Sequence, residues 1–213
     1  LGMSDSSSNA LEPQPLKEVV ALRGTCALTR DGRASCYDGK RWNQVAGLAD
    51  AIDVDANSHS GCALHRTRTV ECWMVQETKR AASIGAGQDG KLQRIIGVVD
   101  GVQVAAGLFF ACARLRNGSV TCWGNNSVGQ LGRGTIDDKP PQSFTAPAPV
   151  AGINDAVDLI AHAAYACARR KSGSMVCWGD LPWAPGVPRP RPIDVGLSNV
   201  KAFASGDQSC AVG

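Results

Sequence analysis

The chain has 213 residues, of which 44% are hydrophobic and 19% are charged, and its formal net charge is +3. This composition favours a folded protein with a packed core and excludes a globally disordered chain. The small positive charge does not indicate a nucleic-acid partner, because proteins of that class usually carry a pronounced basic patch. No apolar run approaches the ~20 residues of a membrane-spanning helix, so we expect no direct membrane insertion.

Residues 1–15 are mostly small and polar, and we expect them to form a flexible N-terminal tail. One pattern then recurs through residues 16–213: an apolar segment is followed by two short segments that each carry a cysteine. The segments alternate apolar and polar side chains and are separated by glycine turns, as is typical of β-strands. Full copies occupy residues 19–39, 51–73, 102–124 and 156–179, and half a copy occupies residues 200–213.

The length of the repeat indicates the fold class. The first cysteine of each copy lies 36 to 55 residues after that of the preceding copy. Repeats of this size are typical of solenoids, propellers or arrays, and several short strands per repeat favour propeller blades. We therefore predict an all-β fold, a β-propeller-like repeat array of about four to five blades that forms a partial or incomplete ring.

Four copies contain two cysteines with nine residues between them. In three of these copies a three-residue turn ends in glycine, as in Arg30-Asp31-Gly32. Such a turn places the cysteines opposite each other at a non-hydrogen-bonded pair, where Cα atoms lie about 4.5 Å apart and a disulfide can form. The spacing favours four cross-strand disulfides: Cys26–Cys36, Cys62–Cys72, Cys112–Cys122 and Cys167–Cys177.

Buried reduced cysteines and a metal site are the alternatives to these disulfides. Zinc sites usually contain short chelating spacings such as C-x-x-C, and the sequence has none. The second copy has Arg66-Thr67-Arg68 in its turn, without glycine, so we expect a longer or strained loop there. Disulfides in this number predict an extracytoplasmic location, in the periplasm, at the cell surface or in the medium.

Cys210 is the ninth cysteine, and the repeat would place its partner at position 220. Within the 213 residues Cys210 is therefore expected to be unpaired: either the chain is cut from a longer one, which we favour, or Cys210 is free or pairs elsewhere. The half copy at residues 200–213 supports the same expectation, because it lacks its second cysteine strand.

The segment CWGNNSVGQLGRG, residues 122–134, resembles the repeat signature of the regulator-of-chromosome-condensation family. The cysteines resemble those of bacterial extracytoplasmic members. The resemblance implies propeller blades of about 50 residues, in a closed ring with more blades than this chain holds, so another chain could complete the ring. It also implies structural roles for the residues of the repeat turn: Trp123, Gly124, Gly129, Gln130, Leu131 and Gly132.

One aromatic residue follows the second cysteine of each full copy. Neighbouring residues of a strand point to opposite faces of the sheet, so these aromatic side chains face away from the disulfides. We expect them to pack between blades. The residues are Tyr37, Trp73, Trp123 and Trp178.

No residue of the sequence is a candidate for catalysis, cofactor binding or metal binding. His59, His65 and His162 lie in different copies and share no ligand-like spacing. No catalytic or phosphate-binding motif is present. We therefore expect no enzyme activity and no cofactor.

The sharpest candidate for recognition is the proline-rich segment 181–192, which we predict to be a stiff loop. It holds Trp183, Arg189 and Arg191, residue types that are favoured in interface hot spots. Alternatively, its prolines only fix a connection between blades. The predicted function is a non-catalytic protein-interaction scaffold or surface-assembly component with a protein partner. The alternatives are an extracellular inhibitor or adhesin that recognises one target, and an accessory binding module of a larger enzyme.

Overall fold

The computed structural model describes residues 18–57, 59–74, 91–137, 145–204 and 210–213 of the chain. Every regular element within these residues is a β-strand, which confirms the all-β prediction. The tail expected over residues 1–15 lies outside the described residues. The described part of the chain contains no helix that could cross a lipid bilayer.

The strands form four four-stranded sheets and one two-stranded hairpin, in which each strand pairs with its neighbours in the chain. The first sheet contains β1 (Val19–Arg23), β2 (Cys26–Thr29), β3 (Ala34–Tyr37) and β4 (Trp42–Gln44). The second contains β5 (Ala51–Ala56), β6 (Ser60–His65), β7 (Val70–Met74) and β8 (Gln93–Ile95). The third contains β9 (Gly101–Gly107), β10 (Phe110–Leu115), β11 (Val120–Gly124) and β12 (Ala148–Pro149). The fourth contains β13 (Ala156–His162), β14 (Tyr165–Arg170), β15 (Met175–Gly179) and β16 (Arg189–Asp194), and the fifth hairpin contains β17 (Ala202–Ala204) and β18 (Cys210–Val212).

The two middle strands of each sheet hold the paired cysteines directly opposite each other. Their Cα atoms lie 4.0–4.1 Å apart. So short a separation is typical of the non-hydrogen-bonded type of cross-strand pair. The sulfur atoms are joined in four disulfides: Cys26–Cys36, Cys62–Cys72, Cys112–Cys122 and Cys167–Cys177. The side chain of Cys210 lies outside the described residues, so its unpaired state stays a prediction.

The turn between the cysteine strands has the same length in every sheet. In the first sheet the Thr29 N–H donates to the Arg33 carbonyl at 2.9 Å, and Gly32 takes a φ of 80°. In the second sheet Arg68 stands in the place of the glycine and takes a φ of 68°. This conformation costs a non-glycine residue roughly 1 kcal/mol. Of the two outcomes expected for this turn, the structure therefore has the strained one.

The hydrophobic core lies between consecutive sheets. The disulfide of one sheet faces forward, and the tryptophan of the next sheet faces back toward it, because adjacent residues of a strand point to opposite faces. Three buried clusters repeat this contact: Cys26–Cys36 with Trp73, Cys62–Cys72 with Trp123, and Cys112–Cys122 with Trp178. These tryptophans therefore pack between blades.

Tyr37 occupies the corresponding position in the first sheet, and the prediction that it is buried between blades is wrong. Its side chain is 40% exposed, and its ring contacts the Trp42 ring at a centroid distance of 5.6 Å. No other sheet among the described residues packs on this face of the first sheet. The tyrosine is exposed because its face has no neighbour there.

The prediction of a loop through residue 192 is also wrong in its second half. Residues 189–194 form β16, the outer strand of the fourth sheet. Proline lacks an N–H and is tolerated in a strand only at the edge of a sheet, which is where β16 lies. The Pro190 carbonyl accepts the Gly134 N–H of the third sheet at 2.6 Å. The edge of the fourth sheet is thereby fastened to the loop that follows β11.

Candidate functional site

The first strands of the four sheets and the fifth hairpin meet around a cavity of about 160 Å³. Each of these five strands contributes to its wall, through Leu22, Asp55, Ala106, Ile160 and Phe203 respectively. Polar side chains of the first strands are thereby brought to the centre of the array. We call the network of Arg23, Asp53, Asp55, Gln103, Arg114 and Asp158 the hub.

Aspartates of the second sheet satisfy backbone groups of the third. The first strand of each sheet lies at its edge, so N–H groups on its outer side need partners from elsewhere. The Val104 N–H donates to Asp53 Oδ2 at 2.8 Å, and the Ala106 N–H donates to Asp55 Oδ2 at 2.9 Å. The alternate spacing of the two aspartates on β5 matches the alternate N–H groups of β9.

Gln103 makes a similar contact one sheet further along. Its Nε2 donates to Asp158 Oδ1 at 2.8 Å and to the Leu159 carbonyl at 2.9 Å. Its Oε1 accepts a hydrogen bond of 3.0 Å from Arg114 Nε. This amide is buried and joins the third sheet to the fourth, as Asp53 joins the second to the third.

Burial changes the proton affinity of the hub. Loss of hydration raises the pKa of Asp53 to about 6 and that of Asp55 to about 7. The backbone donors offset part of this rise, as does Arg23, whose Nε lies 3.9 Å from Asp53 Oδ1. Desolvation likewise lowers the pKa of Arg114. The two carboxyl groups therefore hold protons at a higher pH than ordinary aspartates do.

The hub joins strands of neighbouring sheets. Asp53 and Asp55 each accept a backbone N–H of the third sheet. The described residues contain no group of three or more potential metal ligands. The geometry of the hub thus supports a structural role.

The turn after β11 forms a socket for the fourth sheet. The Trp178 indole Nε1–H donates to the Gln130 carbonyl at 2.9 Å. Gly132 lies so close to this ring that an added Cβ would be 2.9 Å from Trp178 Cδ1. At Gly129 an added Cβ would be 2.6 Å from the Cα of Pro190. Both glycines are needed because another sheet occupies the space of a side chain.

Polar side chains within the same turn fix its shape. Gln130 Nε2 donates to Asn125 Oδ1 at 2.7 Å, and the Leu131 N–H donates to Asn126 Oδ1 at 3.0 Å. Leu131 is fully buried between the third and fourth sheets. Gly124 ends β11 with a φ of 105°. The signature turn therefore packs as part of the core.

Trp183 lies in the connection between β15 and β16 and is 54% exposed. The backbone around it is well fastened. Leu181 is buried in the core, and Asp180 Oδ1 accepts the Gly186 N–H at 2.8 Å. The connection thus presents a large aromatic side chain to solvent from an ordered turn.

Arg189 and Arg191 follow on β16. Arg189 Nη1 donates to the Val187 carbonyl at 3.0 Å. The Arg191 guanidinium packs against Gly134, where an added Cβ would lie 2.8 Å from Nη2. Neither arginine forms an ion pair with a carboxylate of the described ranges. The three candidate recognition residues therefore share one segment, but Arg191 also supports the signature turn.

Models of the regulator of chromosome condensation (RCC1) repeat match residues 102–130 and residues 117–168. Together the two matches cover residues 102–168. The matched residues cover the third sheet and the start of the fourth, including the socket. The tryptophan, the glycine-rich turn and the following first strand are thus the parts that the RCC1 repeat shares with this chain.

Solved structures show the same fold. Yeast RCC1 (Prp20) bound to Kap60 matches with a TM-score of 0.70 and 15% identity, over 94% of this chain and 55% of that one. Prp20p of Saccharomyces cerevisiae, described with its binding to Gsp1p and histones, matches with a TM-score of 0.68 and 16% identity, over 88% of this chain and 53% of that one. Human WBSCR16 matches with a TM-score of 0.66 and 15% identity, over 88% of this chain and 56% of that one.

These likenesses show that the fold is a β-propeller of the kind found in the RCC1 structures. The chain spans about half the length of the solved structures it matches. No curated protein sequence matches it.

Sequence reasoning missed the hub residues Asp53, Asp55 and Gln103. A local signal was present, because Asp53-Val54-Asp55 alternates acidic and apolar residues within the first strand of the second sheet. The partners of the aspartates, however, are backbone N–H groups 51 residues away. Only the packing of consecutive sheets brings these groups together.

Two of the three histidines lie beside aromatic rings. The His59 ring is 5.9 Å from that of Phe109, and the His162 ring is 6.1 Å from that of Tyr165. His65 differs from both, because it lies between carboxylates.

Proposed function

We propose that the chain is a non-catalytic protein-binding module of an extracytoplasmic protein, and that the segment 183–191 contacts the partner. The exposed indole of Trp183 carries this proposal. Tryptophan and arginine dominate the energetics of protein interfaces, and a preformed turn loses little entropy on binding. The family likeness supports a binding role in general, since yeast RCC1 was solved bound to Kap60.

The surroundings of Trp183 favour recognition of another protein. Arg189 lies partly exposed on the same segment, and Val187 between them is 48% exposed. An aromatic and an aliphatic side chain beside a guanidinium form the mixed surface that is typical of interface centres. The four disulfides support a location in an oxidising compartment, because such bonds are rare in the cytosol.

Site-directed crosslinking tests the proposal. A benzophenone amino acid replaces Trp183, and a matched variant carries it in place of Val99, which is 74% exposed on the loop before β9. We expect light to link the first variant to one protein on the producing cells or in their medium. We expect the second to give no such product. Equal products from both positions, or none from position 183, would contradict the proposal.

Truncation at the same site gives the energetic test. With the crosslinked protein in hand, Trp183→Ala is expected to weaken binding by about 2 kcal/mol or more, as measured by calorimetry. Arg189→Ala tests the neighbouring charge. Arg191→Ala is unsuitable, since Arg191 also packs on Gly134. If Trp183→Ala leaves the affinity unchanged, the partner binds another face of the array and the proposal is wrong.

A further inference from the structure

His65 ends β6, is 9% exposed and lies between two carboxylates. Its Nδ1 is 2.6 Å from Asp50 Oδ1, and its Nε2 is 3.0 Å from Glu71 Oε2. The second contact is a close ion-pair approach rather than an aligned hydrogen bond. Since the two carboxylates contact opposite ring nitrogens, the three side chains cannot chelate one metal ion.

The charge of the ring follows from this geometry. Ionised carboxylates only accept hydrogen bonds, and a neutral imidazole has a single N–H. With a neutral ring, one nitrogen lone pair would face a carboxylate oxygen. Both contacts of His65 are attractive only when the ring is protonated on both nitrogens. A ring that carries both protons would therefore be attracted by both carboxylates at once.

We call the ion pair between His65 and the aspartate before the first strand a clamp. The third and fourth sheets contain a corresponding clamp with arginine as the cation. Arg116 Nε lies 3.1 Å from Asp100 Oδ1, and Arg170 Nε lies 2.8 Å from Asp155 Oδ1. Each aspartate stands immediately before the first strand of its sheet, as Asp50 does. Arginine stays protonated at all physiological pH values, whereas histidine changes its charge between about pH 5 and 8. The second sheet thus has the titratable form of the clamp.

Among the four-stranded sheets, only the second has a carboxylate at the position of Glu71. His65 stands three residues after the first cysteine of its sheet, and Arg170 stands at the same place in the fourth. Glu71 stands one residue before the second cysteine. In the other full sheets this position holds an uncharged residue: Ser35, Thr121 or Val176.

Asp50 connects the clamp to the first sheet. The Ala51 N–H donates to the Gly32 carbonyl at 3.0 Å. The Gly32 turn packs so closely on Asp50 that an added Cβ would lie 2.6 Å from its Cα. The Asp50 carbonyl also accepts the Arg66 N–H of the second sheet at 3.1 Å. The position of Asp50 therefore sets how the first sheet meets the second.

Several charged groups surround the ring. Asp50 approaches from the segment before β5 and Glu71 from β7, and Arg94 lies opposite Glu71 on β8. Arg66 follows His65 in the turn. The facing surface of the first sheet contributes apolar side chains to the shared core. The charged residues of the first-sheet turn are all exposed: Arg30, Asp31 and Arg33.

We propose that His65 is a pH-sensitive clamp at the joint between the first and second sheets. In weak acid the imidazolium holds Asp50 and Glu71 together, and Asp50 holds the Gly32 turn. When the pH rises, the ring loses a proton to solvent, one contact becomes repulsive, and the joint loosens. The stabilisation by the clamp is therefore present at low pH and lost as the pH rises through the histidine range. The arginine clamps of the other sheets keep their strength.

Native-state hydrogen exchange of the full chain tests this proposal. In the wild type we expect the protection factors of residues 18–44 to fall roughly tenfold between about pH 5.5 and about pH 8. In His65→Arg, which installs the cation of the fourth sheet, the fall should be smaller than in the wild type, because only Asp53 and Asp55 still contribute to it. In His162→Gln, a control at a histidine outside the clamp, it should fall as in the wild type.

Asp53 and Asp55 also titrate in this range, and the His65→Arg variant retains both. A fall in protection that is as large in His65→Arg as in the wild type would therefore overturn the proposal. So would a 15N spectrum in which the His65 ring is neutral at about pH 5.5. His65→Gln is expected to give low protection at both pH values. If that variant does not fold, the comparison with His65→Arg still decides.

Discussion

At the scale of the residue, Asp55 shows how enclosure by neighbouring sheets changes the chemistry of a side chain. Its Oδ2 accepts the Ala106 N–H of the third sheet. Gly24 of the first sheet lies so close that an added Cβ would be 2.6 Å from Oδ1. Water is largely displaced from the carboxyl group, and the pKa rises to about 7. A neutral carboxyl can still accept the backbone hydrogen bond, so protonation removes the charge without breaking the contact.

We expect Asp55→Asn to stabilise the protein above about pH 7. The pKa is 3.8 for the ordinary group and about 7 in the fold, so the folded state binds the proton more tightly. The free energy of unfolding therefore falls as the pH rises from about 4 to about 7. Asparagine does not ionise, so Asp55→Asn avoids this loss of unfolding free energy, which amounts to at most about 4 kcal/mol. Urea unfolding across the range measures the change.

The slope with pH is the decisive quantity in this experiment. Asp194→Asn, at an exposed position on β16, is the matched control and should leave the slope as it is. If Asp55→Asn and the control give the same slope, the enclosed carboxyl does not govern the pH dependence of stability.

At the scale of the element, the signature turn works as a socket because two of its glycines leave space for the fourth sheet. Gly132 has a φ of 66°, and an added Cβ would be 2.7 Å from Val150 Cγ1 and 2.9 Å from Trp178 Cδ1. Gly152 has a similar φ of 73°, with no atom within 4 Å of the same position. Alanine substitutions at these two glycines therefore separate the cost of backbone strain from the cost of steric crowding.

We expect Gly152→Ala to cost about 1 kcal/mol of unfolding free energy, from backbone strain alone. Gly132→Ala should cost a further 1–3 kcal/mol, roughly, because the methyl group displaces Trp178 and Val150. Guanidinium unfolding of both variants measures the difference. Equal losses would show that the socket is loose enough to accept a side chain at Gly132.

At the scale of the whole molecule, the contact between consecutive sheets always has the same orientation along the chain. The disulfide of a sheet packs against the tryptophan of the sheet that follows it. The third sheet is packed on both faces in this way. The first sheet is packed on one face only among the described residues, which leaves Tyr37 exposed. Stability should therefore be distributed unevenly, with the third sheet more tightly held than the first.

We expect removal of the Cys112–Cys122 disulfide by paired alanine substitutions to cost more than removal of Cys26–Cys36. The loops have the same sequence separation of 10, so the entropic part, about 2–4 kcal/mol, should be alike. Both pairs lose packing against the tryptophan of the next sheet, but of these two sheets only the third is packed on both faces among the described residues, so it has more buried contacts to lose. Chemical unfolding measures both variants, and peptide mapping without reductant verifies the remaining bonds. A larger loss for the first-sheet pair would contradict this view.

The hairpins could be predicted because their information is local. Each cysteine pair, its turn and the following tryptophan lie within a dozen residues, so strand alternation and turn length place them without knowledge of the rest of the fold. The signature of residues 122–134 likewise indicated the RCC1 repeat, whose models match residues 102–168. β16 was missed because its two prolines argue against a strand, and only the free edge of the fourth sheet makes them acceptable.

The spacing of cysteines, glycines and tryptophans was enough to specify an all-β array of hairpins and the face to which each side chain points. The arrangement of consecutive sheets around one axis decided the rest. It set the raised pKa of Asp55 and the exposure of Tyr37, whereas the pairing of strands within the second sheet placed His65 between Asp50 and Glu71. Each of these depends on groups from other strands, and burial, charge and hydrogen bonding depend on which atoms surround a group in space.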